Sequence, residues 1–358
     1  MIRLVPRTEI SAPWQVATPL LAVLATMIAG GVLFAVMGHD PLAAIRTIFW
    51  DPLFGMASGY SRPQLLVKAA PLILIASGLA IGFRAGIWNI GAEGQYIFGG
   101  ITGAAVALAA YPAEGAWIFP AMVAAGALGG WAWGMIPALL RNWFGASEIL
   151  VSLMLVYVAQ KIAAWMAFGP MKNPEGFGFP GSRNLQQYPP AANPELIAGT
   201  GAHWGVVAAA LAVLATWFLM SRHIRGFHIR AAGLAPRAAR FAGVRPETLV
   251  AFCLGLSGAF AGMAGLFEVA GPAGQITDSF GSGYGFTAII VAFLGRLHPV
   301  GILLAGLLLA LTYIGGELAQ LTLQLPAATV QVFQGMLLFF LLGFDLLTRF
   351  RIARRITA

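Results

Sequence analysis

Residues 65–110 read LLVKAAPLILIASGLAIGFRAGIWNIGAEGQYIFGGITGAAVALAA. Two apolar runs, 65–83 and 87–110, follow each other with only Arg84 and two small residues between them. A helix crossing the hydrocarbon core needs about 20 apolar residues, so each run suits one membrane segment and the link suits only a reversal. Working outward, comparable runs occupy 18–38, 116–140, 146–168, 203–220, 248–271, 284–297, 299–321 and 326–347. These ten segments predict an all-α polytopic membrane protein of about ten transmembrane or re-entrant helices. The 284–297 segment is too short to cross fully. Composition points the same way: 9% of residues are charged, against about 25% in a soluble domain, and the mean hydropathy is +0.81.

The net charge of +8 raises nucleic acid as a partner, but a nucleic-acid binder presents a basic face with stacking aromatics. Here the basic residues sit in short segments between apolar runs, which reads as an orientation signal. With the N-terminus inside and the segments alternating, fifteen of the 21 basic residues fall on the cytoplasmic side. Both termini are then cytoplasmic and the chain sits in a bacterial inner membrane as one transmembrane domain over 1–358. In this topology 39–64 and 169–202 are external loops and 221–247 is a cytoplasmic loop. The apolar stretch from Pro19 to Met37 exceeds the core of a cleaved signal peptide, about 7–15 residues, and is read as an uncleaved first span. Segments two to five start outside and seven to ten start inside, so an inverted repeat is possible.

Polar residues inside these runs are the candidates for function. Asn89, Gly91, Glu93, Gly94 and Gln95 crowd the first turns of the 87–110 segment. An acid facing lipid costs about 2.5–3.5 kcal/mol on insertion scales, so Glu93 belongs against protein or a water-filled path. Two readings stay open: a pore or gate built on a broken helix, or a packing motif with Glu93 paired to an arginine such as Arg84. Ser257 to Gly265 carries small residues at 258, 262 and 265, a helix-packing stripe, and Glu268 follows one turn later. Gly281-Ser282-Gly283-Tyr284-Gly285-Phe286-Thr287 reads as irregular backbone entering the membrane, tolerated only where it is buried in protein or lines a cavity. Its Gly-Tyr-Gly echoes a potassium-channel filter, but the flanking Thr-Val pair is absent, and ten spans do not suit that architecture.

The 221–247 loop holds six arginines and one acid, more than orientation needs. Pro236 to Ala242 suits a short helix with Pro in its first turn and Gly243 as its stop, preceded by a turn at Gly233-Leu234-Ala235. Such a helix would offer Leu234 and Phe241 to a partner's groove. A polybasic contact with anionic membrane lipid and plain topology enforcement are the alternatives. No Gly-x-x-x-x-Gly-Lys-[Ser/Thr] stretch occurs, so the chain has no P-loop for nucleotide phosphate. There is no His-Glu-x-x-His or paired-cysteine metal motif, and no cofactor, catalytic residue or enzymatic activity is assigned. The single cysteine, Cys253, reads as a packing residue.

Four blocks occur in order: Asn89 to Gln95, Ser147 to Leu155, Arg230 to Gly243 and Gly283 to Pro299. Together they resemble permeases of bacterial ATP-binding-cassette (ABC) importers for nucleosides and simple sugars, within the branched-chain amino acid permease superfamily. The resemblance covers the chain from about residue 65 onward. It implies a single permease domain of about ten helices, paired with a second permease subunit as a homo- or heterodimer. ABC ATPase subunits would lie below it and an extracytoplasmic substrate-binding protein above. On this resemblance Gly233, Leu234, Pro236, Arg237, Arg240 and Phe241 form the ATPase-coupling helix. Asn89, Gly91, Glu93, Gln95, Tyr284, Phe286 and Thr287 line or gate the path, joined by Glu268 from the residue-level reading. Position 287 is Thr where relatives often carry Asp, which softens a polar role there. A different class of function, a stand-alone proton-coupled secondary transporter, would use Glu93 or Glu268 as its proton-carrying acid.

Overall fold

The computed structural model describes residues 2–6, 12–56, 58–197, 199–281 and 283–354. Ser282, and Arg7 and Arg355 among the fifteen basic residues read as cytoplasmic, lie outside the described residues. In chain order the elements are β1 (Ile2–Pro6), α1 (Ala12–Val36), α2 (Pro41–Phe49), α3 (Asp51–Phe54), α4 (Ser58–Arg84), α5 (Ala92–Ala110), α6 (Ile118–Phe144) and α7 (Glu148–Phe168). A 3-10 turn at Leu185–Gln187 follows. The remainder are α8 (Trp204–Arg222), α9 (Ile224–Leu234), α10 (Pro236–Phe241), α11 (Pro246–Val269), α12 (Tyr284–Leu294), α13 (Pro299–Leu323), α14 (Ala327–Arg349) and β2 (Phe350–Arg354).

Eight of these helices are long and apolar enough to cross a membrane. With α5, at 19 residues, and the 11-residue α12, they account for the ten expected segments. The polytopic α-helical reading holds, with one addition: β1 and β2 pair antiparallel, Ile2 opposite Arg354 and Pro6 opposite Phe350. Five-residue segments are too short to give a hydropathy signal, so sequence patterning left these strands unmarked. Their pairing brings both ends of the chain to the same side.

The chain divides into two compact units, 1–62 with 311–358, and 63–310; α4 and α13 run through the boundaries. In the first unit α1 and α14 pack together, with Phe34 stacked on Phe333 at 6.4 Å between centroids. Gly30 makes room for the Phe333 ring, since a Cβ there would come within 2.6 Å of it. The 39–64 stretch, read as a loop, is largely helical. Asp40 caps α2 by accepting from the Leu42 amide at 2.9 Å, with Pro41 at the first helical position. Ala44, Thr47 and Ile48 bury one face of α2.

In the second unit α4, α5, α6 and α11 form the interior, while α7 and α8 turn exposed apolar side chains such as Leu150, Met154, Leu214 and Phe218 outward. Glycines on α6 and α11 meet face to face. A side chain on Gly130 would overlap Gly258, and one on Gly262 would overlap the Gly126 carbonyl. That stripe is the close packing expected from small residues four apart. The buried Cys253 joins the apolar cluster around Ile81, Ile229 and Leu254. One order of elements occurs twice: long buried helix, non-helical stretch, interior helix. It is seen as α4, 85–91, α5 and again as α11, 270–283, α12. Gly82 faces Cys253 and Gly78 faces Ser257, so α4 and α11 run antiparallel, as an inverted repeat requires.

Candidate translocation site at the junction of two interrupted segments

The chain leaves α4 at Arg84 and runs without helix through 85–91 before α5 begins. Gly86, at φ +73°, makes the reversal. Phe83 and Trp88 pack at 5.1 Å and both stack on Phe293 of α12, at 5.1 and 5.7 Å. The stretch ends deep in the bundle: the Asn89 side-chain amide donates to the Ser257 hydroxyl at 3.0 Å. Ser257 is eleven residues into α11, about 16 Å along it at 1.5 Å per residue.

Asn89 organises this corner. Its amide nitrogen also donates to Gln95 Oε1 at 2.7 Å, and Gln95 Nε2 donates back to Asn89 Oδ1 at 3.2 Å. The same Oδ1 accepts from the Gly91 amide at 3.1 Å. Asn89, Gln95 and Ser257 are each buried to within about 2% of full exclusion, and a buried polar group without a partner is costly. The amide pair satisfies both side chains and starts α5, where Gly91 as the preceding residue offers no side-chain cap.

The second interrupted segment comes from the other end of α11. Residues 270–276 are held by the 169–202 stretch. Ser182 donates its amide to Ile276 O at 2.9 Å, and the Ile276 amide donates to the Ser182 hydroxyl at 3.0 Å. Leu185 and Asn193 amides donate to Gly274 O and Ala270 O. The chain then passes Tyr96, which stacks on Phe280 at 5.4 Å and meets Tyr284 edge-on at 6.0 Å. At its end α12 begins.

Glu93 joins the two. Its Oε1 accepts from the Gly283 amide at 2.9 Å and its Oε2 from the Gly285 amide at 2.6 Å. An acidic side chain at a helix N-terminus satisfies amides that lack an intrahelical partner and opposes the positive end of the helix dipole. Glu93 also lies in the first turn of its own helix, α5, so one carboxylate serves two helix starts. Gly285 must be glycine for this contact, because a Cβ would overlap the Glu93 backbone. Glu93 is 1% exposed. Its partners are these two amides, not the arginine that the packing alternative invoked.

The structure thus gathers Asn89, Gly91, Glu93, Gln95, Tyr284 and Thr287 into one buried junction, Thr287 at 6% exposure. Phe286 stands apart at 38% exposure, on the unpacked side of α12. Glu268 is not part of the junction. Gly265 touches the Tyr96 carbonyl, and Glu268 lies one turn beyond that contact while Glu93 lies one turn before it. The two acids therefore lie on opposite sides of the α5–α11 contact. Residue patterning passed over Phe280, the Ser182–Ile276 pair and the role of Glu148. Glu148 pairs with Arg141 and tethers the middle of the 85–91 stretch through the Trp88 amide at 3.5 Å. An acid seven residues after an arginine across a Gly-containing turn was the available signal for that pair.

The 221–247 stretch forms a second candidate surface. The short helix was expected at Pro236 to Ala242, and α10 spans Pro236–Phe241 with Ala242 as its last half-residue. Gly243, at φ +88°, ends it, and the Val244 amide returns to Ala239 O at 3.0 Å. The expected turn at Gly233-Leu234 is instead the last turn of α9, a helix capped by His223, whose Nδ1 accepts from the Arg225 amide. Apolar Ile229 buries completely and fastens α9 to the bundle, and Gly233 lies against the Arg84 carbonyl at the end of α4. Leu234 is 87% and Phe241 97% exposed, with Arg237 and Arg240 exposed beside them. Two large apolar side chains are thus held out from a fixed helical pair, the arrangement that a docking surface would present.

Comparison with known proteins bears on both surfaces. The family described as "Branched-chain amino acid transport system / permease component" matches residues 62–342. The chain is similar to the glucose ABC transporter permease protein of Haloferax volcanii, 35% identical over 98% of this chain and 93% of the relative. It is similar to the guanosine ABC transporter permease protein of Bacillus subtilis, 28% identical over 90% of this chain and 91% of the relative. A nucleoside ABC transporter permease protein of Lactococcus lactis is 25% identical over 91% and 90%. No solved structure matches the chain.

Proposed function

The chain belongs to the branched-chain amino acid transport system permease family, and from that premise we propose that it forms the translocation path of an ABC importer for a nucleoside or a sugar. It is a multi-pass membrane transport subunit, not an enzyme. ATP hydrolysis resides on separate ATPase subunits, because the chain carries no P-loop. The observation that carries the reading is α9–α10, a helical pair fastened to the end of α4 that holds Leu234 and Phe241 outward among arginines. Docked there, an ATPase that moves on closing over ATP pushes on Arg84, and through 85–91 on the Glu93 junction.

This surface and both termini face the cytoplasm of a bacterial inner membrane, in keeping with the arginine distribution. The whole chain acts as one permease domain beside a second permease subunit, and the path runs along Asn89, Gly91, Glu93, Gln95, Tyr284, Phe286 and Thr287, with Glu268 toward its outer end. A substrate-binding protein docks outside, on 169–202 and the 270–276 stretch it holds. The relatives' printed substrates, glucose and guanosine, share an uncharged, hydroxyl-rich ring, and that is the solute class proposed. Both Glu93 oxygens are taken by backbone amides, which speaks against an acid free to carry protons.

The test is uptake of tritiated guanosine and of labelled glucose into proteoliposomes, with and without the ATPase subunits. ATP-dependent accumulation of one of them is expected. Uptake driven by a proton gradient without the ATPase would overturn the mechanism, and failure of both solutes under ATP would overturn the solute class.

A further inference from the structure

Arg225, near the start of α9, lines two clefts at once. One, of about 570 Å³, has a polar rim of Arg225, His228, Arg245 and Thr248 above Trp131 and Met135. The other, of about 650 Å³, runs down between α8 and α11 along Phe218, Leu219, Leu256 and Phe260, with Thr216 in its wall. Phe252 lines both, and the Arg225 guanidinium lies over its ring at 4.9 Å. Arg225 is exposed, and among the described residues no carboxylate pairs with it. Six arginines face one acid across 221–247, so the rim has a cationic excess that the chain itself leaves unmatched.

An apolar furrow on the membrane-facing side of two spanning helices, closed at one end by cations, has the polarity profile of a phospholipid. Thr216 adds an independent observation. It is 1% exposed, and its hydroxyl has no hydrogen-bond partner in the protein, an unusual state for a buried donor. We propose that the two clefts seat one anionic phospholipid. Its phosphate lies on Arg225 with Arg245 and His228 beside it, an ester carbonyl accepts from Thr216, and an acyl chain lies along Phe218, Leu256 and Phe260. Leu234 and the α10 residues Arg237, Arg240 and Phe241 line neither cleft, so the lipid seat and the proposed ATPase surface are separate. The inference rests on the membrane reading and not on the solute.

Native mass spectrometry of the full-length protein, released from equimolar palmitoyl-oleoyl phosphatidylglycerol and phosphatidylcholine, tests it. Retained phosphatidylglycerol should exceed phosphatidylcholine about tenfold. Arg225→Gln should lower that retention about fivefold, the share of one arginine at an anionic surface. Arg237→Gln with Arg240→Gln removes twice the charge and should leave it unchanged. Ala215→Trp, at an exposed position lining the apolar cleft, should abolish retention without moving the thermal midpoint. Equal retention of the two lipids, retention unaffected by Arg225→Gln and Ala215→Trp, or an equal loss in the α10 double variant would overturn the site. Loss of ATPase co-purification with unchanged lipid in Arg225→Gln would assign Arg225 to the ATPase instead.

Discussion

Glu93 and Gly285 are 192 positions apart in the chain, and the Gly285 amide donates to the Glu93 carboxylate at 2.6 Å. With the matching bond from Gly283, this contact starts α12 inside the bundle and satisfies two of the amides that a helix start leaves free. Leaving a buried donor without its acceptor costs about 1–3 kcal/mol. Glu93→Ala removes both and orphans two buried donors, so a loss of about 3–5 kcal/mol is expected by thermal unfolding in detergent. Glu93→Gln keeps one acceptor and should lose about half as much. Equal stability of Glu93→Ala and wild type would refute the capping role.

Close approach at Gly285 gives a second prediction. Replacement by Ala forces α12 away from the Glu93 backbone, and overpacking of this kind costs about 1–3 kcal/mol, occasionally more. Gly335, in α14, has open space around it, so Gly335→Ala serves as the control and should be neutral or slightly stabilising. Transport should fall with Gly285→Ala and persist with Gly335→Ala.

Leu234 and Phe241 support no core, so Leu234→Asp and Phe241→Asp should leave thermal unfolding within about 0.5 kcal/mol of wild type. ATPase subunits co-expressed with either variant should no longer co-purify. Normal co-purification would remove α9–α10 as the docking surface.

His203 caps α8, its Nδ1 accepting from the Gly205 amide at 3.0 Å, while its Nε2 is buried without a partner. Burial lowers its pKa from 6.5 to about 4. A group whose folded pKa is depressed contributes stability above its unfolded pKa and loses it as pH falls. The contribution is therefore intact above about pH 6.5 and declines toward pH 4, at about 1.4 kcal/mol per pH unit. His203→Asn, which keeps an N-cap acceptor, should flatten the unfolding profile between pH 6.5 and 4.5. An unchanged slope in that variant would move the acid sensitivity elsewhere.

Much of this protein is legible along the chain because its solvent is extreme. Lipid demands long apolar helices, so the ten segments follow from run lengths alone, and proline and glycine at the ends of α10 mark that helix because their backbone preferences are local. The resemblance to the permease family likewise rests on four ordered blocks that can be read without coordinates. The amphipathic α2 escaped the same reading, since a helix of nine residues with one buried face is far shorter than the apolar run that marks a membrane segment.

The pairing of distant groups was settled only by the tertiary structure. From composition, Glu93 could face a pore or an arginine with equal reason; its partners are two backbone amides 190 and 192 positions away, and backbone amides carry no sequence signature. Asn89 finding Ser257, 168 positions on, and the seating of 169–202 on 270–276 are of the same kind. A side chain's identity states which bonds it needs, whereas the donor that meets the need is chosen by how the helices cross.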